Sequence, residues 1–472
     1  MAAIFTAVIL YITIHLLHDS YKTYGFDLGL FTQSLKYTLH GQMLWQTPTG
    51  GSELAHHFSP ILFLLVPVYW VFPYAQMLLV VQGITLGVSG YLVYVLARDY
   101  DLSHRTSLAI EALFLLNPLV WGGALFDFHP VVFAIPGLLI MFLGIKCKNW
   151  ILFACGLFIT LISREDAIIA VGVFGIVILA YNYWKARKID KVYLIIFISA
   201  VVAYGIAVGV SAAFSGGGTP VILSYFSNRY AYVDQPLFQA ILGMITTVFS
   251  SGSLLLICGY LVPLGFLPLL SLGTCIPAFF IMLTGIISTT PEQHNQLFQY
   301  PAPAIPFLFL AFIQALPRVR EDNLIQSLMK KTQGRAAIYA LVLLLISALS
   351  IISFGRIQLA ELPDKHDKAI NQVIAAIPDG ATVTANNSIF PHLCDRTETY
   401  MPFFDSPVAG IKKGEWGFPD MNTEYVVVDS VYTQADLDGV IWEKTIMSQI
   451  NQKYELIMNI DGARLYKLRQ VP

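Results

Sequence analysis

Eleven stretches of the chain are apolar for about the length of a membrane helix, near residues 2–18, 75–97, 106–123, 131–145, 150–163, 167–184, 192–212, 250–269, 272–288, 301–316 and 336–355. A hydrocarbon core of about 30 Å takes roughly 20 residues of helix, so each stretch predicts a membrane span; 238–288 can be divided in more than one way. The run "HFSPILFLLVPVYWVFP" at 57–73 is shorter, carries prolines and is rich in aromatics, which predicts an interfacial or re-entrant segment. After Gly355 the pattern changes to charged and mixed sequence. There "ATVTA", "EYVVVDS" and "YELIMNIDGARLYKL" alternate or are rich in β-formers and predict strands, while 364–377 and 434–452 predict helices. The chain is therefore expected to be a polytopic α-helical membrane protein over 1–355, with a small soluble α/β domain over 356–472.

Composition agrees. Of 472 residues, 56% are hydrophobic and 12% charged, against about one quarter charged in ordinary soluble proteins. No basic run with interleaved aromatics is present, so nothing points to nucleic acid. The first segment lacks a basic flank and a small-residue cleavage site and is expected to be a retained helix. Lys and Arg collect in cytoplasmic loops. Alternating eleven helices from a cytoplasmic N-terminus puts thirteen of these residues inside, among them Arg98, Arg105, Lys146 and Lys188, and four outside: Lys22, Lys36, Arg164 and Arg229. The protein is thus expected in the cell membrane, with its C-terminal domain extracytoplasmic.

With that topology the chemistry-bearing residues gather at the outer face. The first outer loop, 19–59, holds Asp27, Glu53, His56 and His57; the next holds Asp127 and His129 in "LFDFHP"; then come Arg164, Glu165 and Asp166 in "REDA", Arg229, and His294 and Asn295 in "TTPEQHNQLFQY". A charged group in the bilayer costs roughly 2.5–3.5 kcal/mol on insertion scales, so such residues tend to face a water-filled cavity or a partner. Structural readings compete. Asp127 with Pro130 suits helix capping, Arg164 and Asp166 suit a local ion pair, and His56 and His57 suit an interface. His15 and His18 fit satisfied packing groups better than ligands. Leu28, Phe31, Leu35 and Leu39 recur about one helical turn apart, predicting an amphipathic helix on the membrane surface with Asp27 at its start.

The segments "FDLGLFTQSL", "HHFSPILFLLVPVYWVFP", "LFDFHP", "REDA", "IPDGATVTANNSIFPHLCDR" and "EYVVVD", taken in order, closely resemble the DUF2079 family of prokaryotic membrane proteins, which is similar to the GT-C superfamily of polytopic glycosyltransferases. The resemblance implies a GT-C-like fold and transfer of a sugar from a polyprenyl-phosphate carrier to an extracytoplasmic acceptor, with an essential acid in the first outer loop. The matching position is Asp27, although "FDLG" supplies one acid where that loop commonly carries "DE".

On this reading Asp27 is the catalytic base, with Asp127 and His129 beside it. Arg164 is the first candidate for the carrier's phosphate and Arg229 the second; Glu165, Asp166, His56, His57, His294 and Asn295 are further substrate contacts. Asp127, His129, His56 and His57 are alternatively ligands for a divalent metal, since carboxylate and imidazole suit several, although no spacing is diagnostic. The expected partners are membrane lipid, the lipid-linked sugar donor and an unidentified acceptor. The competing function is a transporter or flippase of a lipid-linked or small substrate, with a non-enzymatic scaffold as a third reading. Transporters keep their sites near the midplane, whereas these polar groups gather at one face.

Overall fold

The computed structural model describes residues 1–469 apart from 217–219, 221, 224–228, 231, 233–234, 296–297, 322–334, 353–356, 358, 397, 402, 405–415, 418–422 and 434–446. Four helices are long and apolar enough to cross a membrane: Gln76–Asp99, Glu165–Ala186, Lys191–Phe214 and Leu267–Ile286. Two bent pairs raise the number to six, His104–Leu115 with Pro118–Leu125 at 44° and Leu237–Val248 with Ser251–Leu264 at 54°. The first bend follows from sequence: Asn117 caps the Leu119 amide and Pro118 opens a new helix, so the earlier one cannot continue. The remaining apolar helices are shorter, including Ala2–His18, Pro130–Lys146, Trp150–Ser163 and Ala302–Pro317. The sequence predicted eleven spans; by length and composition, four to six candidates qualify among the described residues.

The helices pack by close approach of small residues. A Cβ on Gly156 would lie 2.3 Å from the Met141 amide nitrogen, which lets Trp150–Ser163 press against Pro130–Lys146 backbone to backbone. The bundle has two polar ends. At one, the Met1 amine lies 3.8 Å from Glu111, and Lys146 lies over the Tyr100 ring. At the other lie residues 19–59, 126–129, 164–166, 287–295 and 298–301, joined by the contacts described below.

The predicted interfacial run contains the helix Leu62–Val71, with Pro67 inside it and Leu64, Trp70, Val71 and Phe72 exposed. The helix predicted from Asp27 starts as a wide π-type turn, Gly25–Gly29, and continues as Leu30–Leu39. Its surface location needs correction. Phe31 and Leu35 are buried as the periodicity implied, but so are Thr32, Gln33, Ser34 and Lys36 on the polar side. The C-terminal region covers them: Gln33 Nε2 donates to the Thr399 carbonyl at 2.8 Å.

That region holds a five-stranded sheet. Two short strands of the segment 19–59, β1 (Trp45–Gln46) and β2 (Gly51–Ser52), form their own hairpin. Then come β3 (Val383–Ala385), β4 (Thr399–Tyr400), β5 (Phe403–Phe404), β6 (Trp416–Gly417), β7 (Tyr425–Asp429), β8 (Tyr454–Ile460) and β9 (Ala463–Leu468). The sheet order is β4-β3-β7-β9-β8, with β3 parallel to β4 and β7, and β9 antiparallel to β7 and β8. The β8–β9 hairpin turns at Asp461 and Gly462, both at positive φ, as the dipeptide favours. The helix expected at 364–377 is Lys365–Ala375. Of the one expected at 434–452, residues 434–446 lie outside the described residues and Met447–Lys453 is helical. Leu28, Leu35, Phe128, Ile370, Phe390 and Val427 share one hydrophobic core, so the sheet and the segment 19–59 are packed together.

Candidate functional site

Asp27 and His129 meet across 102 positions of sequence, with His129 Nε2 2.9 Å from Asp27 Oδ1. A carboxylate can only accept, so the imidazole proton on Nε2 points at Asp27. Among the described residues, His129 Nδ1 is buried without a hydrogen-bond partner. The ring is held by Phe126 stacked at 5.3 Å and the edge-on Phe31 at 5.8 Å. Its backbone is fixed by Gln82, whose amide nitrogen donates to the Asp127 carbonyl at 2.8 Å and whose oxygen accepts the His129 N–H at 3.1 Å. Asp127 faces elsewhere: its Oδ2 accepts the Tyr24 N–H at 2.7 Å and its side chain is buried. It ties "LFDFHP" to the turn bearing Asp27. The Asp27 side chain is 22% exposed, against 4% for His129.

The REDA turn forms a second cluster. Glu165 Oε1 accepts from His57 Nδ1 at 2.7 Å and Oε2 from the Phe58 N–H at 3.0 Å, so both its oxygens are engaged. Arg164 approaches His57 Nε2 at 3.3 Å, and its Nε lies 3.3 Å from Asp166 Oδ2. Burial, then the neighbouring guanidinium, lowers the His57 pKa. A neutral His57 fits the geometry, donating from Nδ1 to Glu165 and accepting from Arg164 at Nε2. Arg164 is closed off inside this cluster, its side chain 6% exposed.

A cavity of about 100 Å³ opens beside these groups, between the helices Glu165–Ala186, Lys191–Phe214, Ser251–Leu261 and Leu272–Ile286. Asp166, Arg229 and Tyr300 are among the polar groups lining it; Tyr204, Tyr260 and Phe280 are among the aromatic ones. Arg229 lies over the Tyr300 ring at 5.8 Å. Tyr300 links the cavity to the Asp27–His129 pair. Its hydroxyl feels the fields of Arg164, Arg229, Asp27 and Asp166, and Phe298 and Phe126 connect its ring to His129 at centroid spacings of 6.3, 4.4 and 5.3 Å.

The other sequence candidates lie apart from this cavity. His56 lines a separate pocket with Trp45, Gly51 and Phe214, and burial pushes its pKa down to about 4. His294 Nε2 donates to the Ser288 carbonyl at 2.6 Å and its Nδ1 meets Ser253 Oγ at 3.2 Å, which fixes a loop. The Asn295 amide closes a turn onto the Glu292 carbonyl at 3.2 Å. His15 pairs with Asp19 at 3.0 Å, and His18 stacks on His392 at 4.1 Å. The proposed metal set is dispersed: Asp127 and His57 are engaged elsewhere, His56 lines a different pocket, and no group of three or more His, Cys, Asp or Glu among the described residues is arranged to hold a metal ion.

Sequence reasoning missed Tyr300, Gln82 and the full role of Glu53. Gln82 left a trace, as a polar residue inside the apolar run "LLVVQGITLG". Glu53 is buried, with Oε2 accepting from Gln46 Nε2 at 2.9 Å and Oε1 without a hydrogen-bond partner among the described residues. Burial pushes its pKa up to about 8, so at neutral pH it carries a proton.

The fold aligns with that of ArnT from Cupriavidus metallidurans in the apo state, over 98% of this chain and 97% of that one, with a TM-score of 0.50 and 12% identical residues. At that identity the likeness is one of fold. No curated protein matches the sequence. The family model described as "Predicted membrane protein (DUF2079)" matches residues 17–463, nearly the whole length, and the chain belongs to that family.

Proposed function

We propose that the chain is a membrane glycosyltransferase that moves a sugar from a polyprenyl-phosphate carrier to an extracytoplasmic acceptor. The observation that carries this reading is the juxtaposition of an oriented, partly exposed carboxylate, Asp27 on His129, with a cavity lined by Arg229 together with apolar and aromatic side chains. The whole-chain likeness in fold to ArnT fits the GT-C architecture that the sequence resemblance implies. The eleven-span topology extends the proposal, with 1–355 in the membrane, the N-terminus cytoplasmic and 356–472 outside. It places this end of the bundle at the outer face.

In the proposed reaction an acceptor hydroxyl or amide attacks the anomeric carbon while the bond from that carbon to the carrier phosphate oxygen breaks, inverting the centre. Asp27 takes the acceptor proton, as a positioned general base does, and His129 orients the carboxylate through its Nε2 proton. The departing phosphate keeps the bonding electron pair. Arg229 on the cavity wall is better placed to receive it than the enclosed Arg164, because a guanidinium matches phosphate oxygens only where it can reach them. Arg164 instead holds Asp166 and His57 at the rim.

Purified protein in lipid, given labelled polyprenyl-phosphate sugars and candidate acceptors, tests this beside Asp27→Asn. Transfer lost in Asp27→Asn is the expected result. Undiminished transfer removes Asp27 as the base, and substrate flux across vesicles without transfer replaces the enzyme by a transporter.

A further inference from the structure

The turn that carries Asp27 begins without a cap of its own. Helix starts leave backbone N–H groups unsatisfied, and Tyr24, which precedes Gly25–Gly29, offers no side-chain hydrogen bond to them. Two of these N–H groups are taken by one residue of the C-terminal region. Gly25 N–H donates to the Asn387 backbone carbonyl at 2.8 Å, and Phe26 N–H to Asn387 Oδ1 at 3.2 Å. Asn387 follows directly on β3 and Asn386, whose Oδ1 accepts the Asp429 N–H at the end of β7. The contact is therefore seated on the sheet.

The surrounding packing is shaped for the same approach. A Cβ on Gly29 would lie 2.5 Å from Phe390 Cδ1, and one on Gly25 would lie 2.7 Å from Met401 Sδ and 3.1 Å from Asn387 Oδ1. Only glycine at these positions lets the turn come this close. Below the turn, Tyr21 OH donates to Asn371 Oδ1 at 2.8 Å, and Lys22 pairs with Glu361 at 3.2 Å.

We propose that Asn387 is a positioning residue for Asp27, supplying from the C-terminal sheet the cap that the Gly25–Gly29 turn lacks. Asp127 on the Tyr24 N–H and Asn387 on Gly25 and Phe26 then hold three successive amides just ahead of Asp27, from two different parts of the chain. The sheet thus acts on the site by fixing the direction of the carboxylate. The proposal rests on the reading of Asp27 as the base.

Two measurements on the full chain in lipid discs separate the two ideas. The first is amide hydrogen exchange over residues 22–30 in Asn387→Leu, which keeps the side-chain volume and removes the acceptor, and in Asn387→Asp, which keeps the acceptor. Faster exchange of the Phe26 amide in Asn387→Leu and near-native exchange in Asn387→Asp are expected. The second is the kinetics of transfer. A misplaced reacting group costs up to about 100-fold, so kcat should fall roughly 10- to 100-fold in Asn387→Leu with KM little changed, and recover largely in Asn387→Asp. Native exchange in Asn387→Leu, or a loss of kcat that Asn387→Asp does not restore, overturns the proposal. Should Asn387→Leu fail to fold, the milder Asn387→Ser carries the same two measurements. If exchange responds as expected while no donor is ever transferred, the cap stands and the transferase reading falls.

Discussion

The Asp27–His129 pair and the His57–Arg164–Glu165 cluster use similar side chains at the same end of the bundle, and they differ in what they leave unused. In the cluster the groups are held in a closed set of contacts: both Glu165 oxygens accept, His57 lies between Glu165 and Arg164, and the enclosed Arg164 has its Nε 3.3 Å from Asp166 Oδ2. In the pair, among the described residues, the one hydrogen bond to the Asp27 carboxylate is that from His129, and the carboxylate reaches solvent. The difference teaches where to look for chemistry at a polar membrane face. A charge in a closed network supports the structure, and one that is oriented but still has an open oxygen can take a proton.

Substitutions should split along this line. The largest effect on transfer is expected for Asp27→Asn, a loss of roughly 10²- to 10⁴-fold in kcat with unchanged thermal stability; a small loss would move the base elsewhere. Glu165→Gln should act on stability, because it turns an amide donor toward either His57 or the Phe58 N–H and leaves a buried guanidinium less compensated. Breaking a buried pair costs about 3–5 kcal/mol, visible as a lowered Tm, while the folded fraction keeps most of its kcat. A catalytic collapse at native Tm would erase the distinction between the two clusters.

A finer test uses pH. Glu53 titrates near 8 in the folded protein and near 4.3 unfolded. Between those values the folded state holds a proton that the unfolded state has released, so raising the pH favours unfolding. Stability should fall by up to about 1.4 kcal/mol per pH unit through that window and level off above pH 8. Glu53→Gln should remove this slope, as compared by chemical denaturation at pH 5, 7 and 9. An unchanged slope would mean that Glu53 is charged beside Arg164 and belongs to the ion cluster. The smallest effect is expected for His56→Ala: because His56 lines a pocket that shares no residue with the Asp166–Arg229 cavity, transfer should change by less than about 2-fold, and a large loss would bring that pocket into the site.

Much of the scaffold is written locally. The apolar runs, the Asn117–Pro118 break and the Asp461–Gly462 hairpin all follow from short-range pattern. The pairing of Asp27 with His129 was within reach as a shared face, since both flank apolar segments at the same end. Its partners were not. Nothing near Arg164 says that His57 will close over it, because that contact joins positions 107 apart. Tyr300 sits in "QLFQYPAP", with no local sign that Phe298 and Phe126 lead from it to His129. The burial of Thr32 and Gln33 depends on the sheet that covers them, and amphipathic periodicity records only the apolar face, here packed in the core shared with that sheet.

The bond from Phe26 to Asn387 spans 361 positions, which bears on how the protein is made. Synthesis runs at about 5–20 residues per second, so the Asp27 turn leaves the ribosome roughly 20–70 s before the residue that caps it. Through that interval the turn at Gly25–Gly29 lacks the partner of its Phe26 amide. On the proposed reading, an interrupted chain that ends before the sheet would carry Asp27 on a turn whose direction nothing from the C-terminal region fixes.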